Sequence, residues 1–278
     1  MLPVIRIGEH EMTRLIVGGN PFSGNSHVNG EMDEAMRDFF TTARIKETLF
    51  RCEECGINTM QMRGDDHIMR LVREYRAEGG SMKWIAQTAS EFRSYEGNVS
   101  KIKAAGADAI YHHGTTTDSL FKAGEYEELK RRLAVIRASG LPVGLATHMP
   151  QVITYAEEHR WDVDFYMGCV YNLSRVDRVS SAITGIANAG EPFFEEDIPL
   201  MYEVIRKAGK PCLAFKILGA TRRCQTQDTV RAAFDEAFRE IKSTDGVIVG
   251  MYPRDLDQVG LNCRYTLDAI AKAEEANL

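Results

Sequence analysis

A chain of 278 residues, 44% hydrophobic and 27% charged, has ordinary globular composition and the length of one large α/β barrel, so a single domain over residues 1–278 is expected. Its formal charge of -6 offers no basic field to phosphate backbones or anionic lipid, which excludes nucleic acid and membrane surfaces as partners and leaves small molecules. The six cysteines are scattered, the start carries no signal-like segment, and no uncharged apolar run reaches membrane-spanning length, all of which fits the reducing cytoplasm.

Short apolar or β-branched runs alternate along the chain with segments of helical period. Strands are expected at residues 14–18, 58–62, 83–88, 108–113, 142–148, 163–170, 211–217 and 246–251. Helices are expected at 33–55, 66–79, 97–105, 125–139, 151–160, 197–208, 227–243 and 256–276. Strictly alternating strands and helices predict parallel pairing with crossover helices, an α/β fold of the (β/α)8 or TIM-barrel type. Gly56, Gly106, Gly140 and Gly209 follow helical segments directly, where a left-handed cap turns the chain toward its next strand. In the second strand Thr59, Gln61 and Arg63 alternate with Met60 and Met62, which predicts a polar row inside the barrel and methionines against the helices. The irregular stretch 171–196, with a short helical pattern near 179–189, has the length of a lid or binding loop.

A barrel of this type gathers its chemistry at the carboxyl ends of its strands. His27, His112, His113 and His148, four of the seven histidines, fall there. His113 and His148 end apolar strands and are the candidate acid–base groups, since imidazole exchanges protons near neutral pH. His112 alternates with His113 and is expected to face the helices in a structural role. Lys216, inside the apolar run 212–218, is the third catalytic candidate: a desolvated amine serves as base or Schiff-base nucleophile, and a charged one binds an anion. Asn20, His27, Gln61, Arg63, Gln87 and Asn172 are candidate substrate ligands. Arg222 and Arg223, in the turn expected to open the seventh helix, and Arg254 after the eighth strand suit a phosphate or cofactor. His113, His148 and a carboxylate such as Glu91 or Asp66 supply donor types for a divalent metal, although no tight ligand spacing marks such a site. Gly18, Gly19 and Asn20 lack the third glycine of a dinucleotide fingerprint, and the pair Cys52 and Cys55 has no second pair to complete a zinc site.

The order of Leu15-Ile16-Val17-Gly18-Gly19-Asn20, Cys55-Gly56-Ile57-Asn58, Ile110-Tyr111-His112-His113, Phe215-Lys216-Ile217-Leu218-Gly219 and Val247-Ile248-Val249-Gly250 through Asn262 resembles the aldo/keto reductase family over nearly the whole chain. The resemblance implies the barrel and a carbonyl reduction that uses NADP with an aspartate, tyrosine, lysine and histidine tetrad. On this chain those positions fall at Gln61, about Asp66, Thr88 and His113, so only the histidine is kept. The resemblance therefore carries the fold further than the reaction. Three functions stand open. The first is an enzyme acting on a small polar carbonyl or sugar-like metabolite by acid/base or Schiff-base chemistry, as aldolases, isomerases and lyases do. The second is a divergent NADP-dependent oxidoreductase, and the third a non-catalytic metabolite-binding barrel.

Overall fold

The computed structural model, which describes residues 1–175 and 191–276, begins with a hairpin. Strands β1 (Val4–Ile7) and β2 (His10–Thr13) pair antiparallel, Val4 against Thr13 and Ile7 against His10, across a turn in which Gly8 takes a φ of 59°. Ile5, Ile7 and Met12 from this hairpin join one core with Ile16, Ile85, Phe165, Leu213 and Ile248. The hairpin plugs the amino-terminal end of the barrel, which leaves the opposite end as the open mouth.

The eight strands that follow are β3 (Leu15–Gly18), β4 (Thr59–Arg63), β5 (Lys83–Gln87), β6 (Ala109–His112), β7 (Val143–Thr147), β8 (Phe165–Cys169), β9 (Cys212–Phe215) and β10 (Gly246–Gly250). They pair parallel in chain order, and β10 closes on β3 with Val247 opposite Leu15 and Gly250 opposite Gly18. The expected (β/α)8 barrel is the fold. Alternation then divides each strand between two layers. Met60, Met62, Trp84, Ile110 and Leu145 face outward into the core beneath the helices, while Ile85, Tyr111, Phe165 and Met167 fill the interior. Each fully buried side chain of this size contributes about 1.5–3 kcal/mol. Gly144 matters to the interior, because a Cβ there would lie 2.3 Å from the Phe165 ring and 2.6 Å from Tyr111 Cβ.

Ten α-helices occur among the described residues: α1 (Gly30–Phe39), α2 (Thr42–Glu54), α3 (Asp66–Ala77), α4 (Tyr95–Ala104), α5 (Gly114–Lys122), α6 (Tyr126–Ala138), α7 (Pro150–Glu158), α8 (Asp197–Lys207), α9 (Gln227–Glu240) and α10 (Gln258–Glu275). The helix expected at 33–55 is two helices. It breaks at Thr41, whose side chain accepts from Arg44 N and starts α2 afresh. Helix α5 falls in a stretch without an expected helix, because Thr115, Thr116 and Thr117 are β-branched and weak helix formers. Gly56, Gly106 and Gly140 take φ of 85°, 87° and 80° as expected, whereas α8 ends through an extended Ala208 and Gly209 is not left-handed. The helical pattern at 179–189 lies outside the described residues. No described helix is long and apolar enough to cross a membrane.

Candidate active site

Eight of the residues singled out by position, Asn20, His27, Gln61, Arg63, Gln87, His113, His148 and Lys216, line one cavity of about 930 Å³ at the carboxyl ends of the strands. They come from the ends of β3, β4, β5, β6, β7 and β9, the arrangement that a closed parallel barrel imposes on its loops. The His113 and His148 segments are neighbours: a Cβ added to Gly114 would stand 3.2 Å from His148 Cε1.

His148 is the most tightly organised of these groups. Its ring is 9% exposed, and its Nδ1 lies 2.6 Å from Oδ2 of Asp118, whose side chain is 6% exposed. Asp118 also accepts from Thr147 Oγ1 at 2.5 Å and from the His148 backbone N–H at 3.2 Å. A carboxylate held by these donors accepts a hydrogen bond from Nδ1–H, which in the neutral imidazole fixes the Nδ1–H tautomer and leaves Nε2 as the lone-pair nitrogen. The ring edge packs against Phe215 at 5.7 Å between centroids. Asp118 escapes sequence reading because it sits in α5. The apolar pair Leu120 and Phe121, following Thr117 at helical spacing, was the available signal.

On the adjacent strand end His113 is held by its backbone N–H, which donates to Thr88 Oγ1 at 3.1 Å, and by Nδ1 at 3.3 Å from Thr116 Oγ1. Tyr111, two residues earlier on the same inward face of β6, brings a phenol into the cavity. Gln61 Nε2 donates to its oxygen at 2.7 Å, and burial pushes the phenol well above its ordinary range. A tyrosine hydroxyl thus reaches the barrel centre from the fourth barrel strand, although none stands near the second. Gln61 is its partner.

Lys216 follows β9 directly and takes a left-handed φ of 61°, a costly conformation for a side chain with a Cβ. Its Nζ lies 3.1 Å from Oε2 of Glu191, and Oε1 of the same carboxylate lies 2.8 Å from His27 Nδ1. His27 has the same left-handed φ, and its Nε2 lies 3.0 Å from Asn20 Nδ2. Glu191 therefore joins the loops after β3 and β9 from behind the cavity wall. An ion pair of this kind favours the ammonium form of the lysine.

Other expected ligands have different work. Asn172 does not line this cavity. Its Oδ1 accepts from Ser174 N at 2.9 Å, and its backbone N–H donates to Asp197 at 3.0 Å. Arg222 donates to the backbone oxygens of Gly219 and Glu191, Arg223 pairs with Glu236 at 2.6 Å, and Arg254 pairs with Asp255 at 2.9 Å. Helix α9 begins at Gln227, so Arg222 and Arg223 lie in the turn before it and not in its first turn. Glu91 is drawn to Arg63 at the rim and Asp66 to Lys101. Among the described residues no group of three His, Cys, Asp or Glu side chains is placed to hold a metal, so the set His113, His148 and Glu91 is not assembled as a ligand sphere.

His112 points outward as expected and is fully buried. Its Nδ1 lies 2.7 Å from Thr117 Oγ1, Nε2 has no hydrogen-bond partner among the described residues, and burial pulls the imidazole down to about 3. Since its folded value lies below the unfolded 6.5, its contribution is present above that value and is lost as pH falls toward about 3. Stability should drop by about 2 kcal/mol between pH 7 and pH 5 from this group alone. Urea midpoints at the two pH values should show a smaller drop in His112→Leu than in the native protein, and equal drops would refute the assignment.

The barrel is shared with enzymes of unlike chemistry. It superposes on a truncated 3-deoxy-D-arabino-heptulosonate 7-phosphate synthase from Thermotoga maritima over 99% of this chain and 92% of the other, at 15% identity and a TM-score of 0.53. A glycerol dehydrogenase from Gluconobacter oxydans matches over 98% and 93%, at 13% identity and a TM-score of 0.54. A BexX/CysO complex from Amycolatopsis orientalis matches over 99% and 97%, at 13% identity and 0.56. At these identities the likeness is one of fold. No protein-family model matches the chain, and no curated protein sequence matches it.

Proposed function

We propose that the protein is a barrel enzyme that moves a proton at the carbon beside the carbonyl of a small polar or sugar-like metabolite, in an isomerase or lyase reaction. One observation carries this reading: the Asp118-oriented His148 shares a cavity with a second imidazole, a phenol and a lysine ammonium. Nε2 of His148 takes the proton from carbon as the C–H bond breaks, and the electron pair passes to the carbonyl oxygen. Lys216 and Tyr111 donate hydrogen bonds to the resulting enolate. In an isomerase reaction His113 returns a proton to the former carbonyl carbon while the adjacent hydroxyl passes its proton to the enolate oxygen; in a lyase reaction it protonates the leaving oxygen as the bond from that oxygen to carbon breaks. Asn20, Gln61, Arg63 and Gln87 orient substrate hydroxyls. A Schiff-base route through Lys216 requires its free amine and therefore loss of the proton that Glu191 favours, so direct acid–base transfer is the better-supported form.

Incubation with hydroxy ketones and aldoses in deuterated water, followed by proton NMR, should show deuterium beside the carbonyl, and His148→Ala should abolish it. Failure of every such substrate to exchange would sink the reading. Borohydride added during turnover separates the two routes: direct transfer predicts no mass added at Lys216, and a stable adduct there would replace it with the imine route. The reductase reading finds less support. The amide hydrogen of Gly260 in the first turn of α10 is taken by Asp257, itself bonded to Arg51, and the start of α9 is closed by Thr226 and Thr229.

A further inference from the structure

Beside the reacting cavity lies a second chamber of about 1020 Å³ that shares Asn20, His27, Gln61, Phe215 and Lys216 with it. The shared wall is mostly polar and the far wall is apolar: Met32 and Met36 of α1, Ile217 and Leu218 beyond β9, and the ring of Tyr252 beyond β10. The aromatic face is fixed. The Tyr252 hydroxyl donates to Ala35 O at 3.1 Å, and its ring meets Phe39 edge-on at 5.2 Å. The two methionines are unbranched and adapt to flat or aliphatic groups alike. No arginine is among the described residues that line this chamber.

We propose that the chamber receives the apolar part of an amphiphilic substrate, an aryl or alkyl group on the molecule whose carbonyl end lies between His113, His148 and Lys216. This rests on the proton-transfer reading of the deep cavity. The geometry requires such a molecule to bend around Lys216, with its polar end on the imidazoles and its apolar end over Met36 and Tyr252. Dinucleotide phosphates are poorly matched to the chamber, because Lys216 is the only lysine or arginine among its described lining residues and it is already bound to Glu191. Burying a phenyl ring there should favour the substituted substrate about ten- to hundredfold.

Two measurements on the full chain test this. In the deuterium-exchange assay, 2-hydroxyacetophenone should exceed hydroxyacetone at least tenfold in kcat/KM. Met36→Trp, which fills the chamber, should bring the ratio of the two kcat/KM values close to one, chiefly through loss on 2-hydroxyacetophenone; Met32→Trp serves the same purpose from a more exposed position should the first variant fold poorly. Equal rates for the two ketones, or a preference that survives both tryptophans, would overturn the proposal. Separately, anilinonaphthalene sulfonate should bind one saturable site on the native protein. Its affinity should fall tenfold or more in the tryptophan variants and hold in His148→Ala, and the bound dye should slow reaction of the Cys224 thiol, which lines the chamber. Displacement of the dye by micromolar NADPH would make the chamber a dinucleotide groove and overturn the proposal. Dye binding without exchange of any ketone removes the functional reading, and with it the assignment of a substrate group to the chamber. Exchange without dye binding removes the chamber alone.

Discussion

Asp118→Asn should lower turnover about a thousandfold while moving KM only a few-fold, the range expected when one general base is lost. The present carboxylate accepts three hydrogen bonds, from Thr147 Oγ1, from the His148 backbone and from His148 Nδ1. An asparagine has one accepting oxygen. If that oxygen keeps Thr147 and the backbone N–H, its amide nitrogen faces Nδ1 and donates to it. The imidazole must then carry its hydrogen on Nε2, the atom that has to be bare to receive a proton from carbon. The change is therefore one of tautomer at nearly constant shape. His148→Ala should give a similar loss, and the double variant should lose little more, since both remove one acting unit. Thermal melts of each variant separate this from unfolding, because an unpaired buried amide costs only about 1–3 kcal/mol. An Asp118→Asn enzyme with native turnover would show that His148 is not the base.

The barrel was legible because its signals repeat. Eight alternations of strand and helix, four of them turned by left-handed glycines (Gly56, Gly79, Gly106 and Gly140), leave few other folds, and the polar row Thr59, Gln61 and Arg63 announces its own facing. Position along the strands was equally informative about the mouth of the barrel. Strand ends are defined by the chain, and closure brings them together whatever the loops do. Partners across loops were not legible. Asp118 is separated from His148 by a helix and a strand, and nothing in the intervening residues reports that the second turn of α5 swings under β7. Glu191 stands in an irregular stretch without periodicity to place it. The partners of the arginines were hidden for a related reason. Charge and nearness to a helix start are local properties, whereas the acceptors that claimed Arg222 and Arg223 are Glu191 O, Gly219 O and Glu236, chosen by the turn beyond β9.

Glu191→Gln should destabilise the protein by about 3 kcal/mol, one of the largest single-residue effects here, because it strips a buried cation of its countercharge. The carboxylate is 2% exposed and Lys216 is 9% exposed, so water is poorly placed to replace the lost charge. Glutamine keeps the volume and one accepting oxygen, which must now choose between Lys216 Nζ and His27 Nδ1. Since both residues hold left-handed backbone, loosening either lets its loop relax away from the cavity. Urea unfolding at pH 7 measures the loss. The decisive comparison is Glu191→Gln with Lys216→Met: removing both charges should recover much of the stability, as replacing a buried pair by apolar groups often does, while leaving exchange activity absent. Full recovery of activity in that double variant would remove Lys216 from the chemistry. Native stability in Glu191→Gln alone would mean that the lysine is paid no electrostatic debt by this carboxylate and that the two loops are held by other contacts.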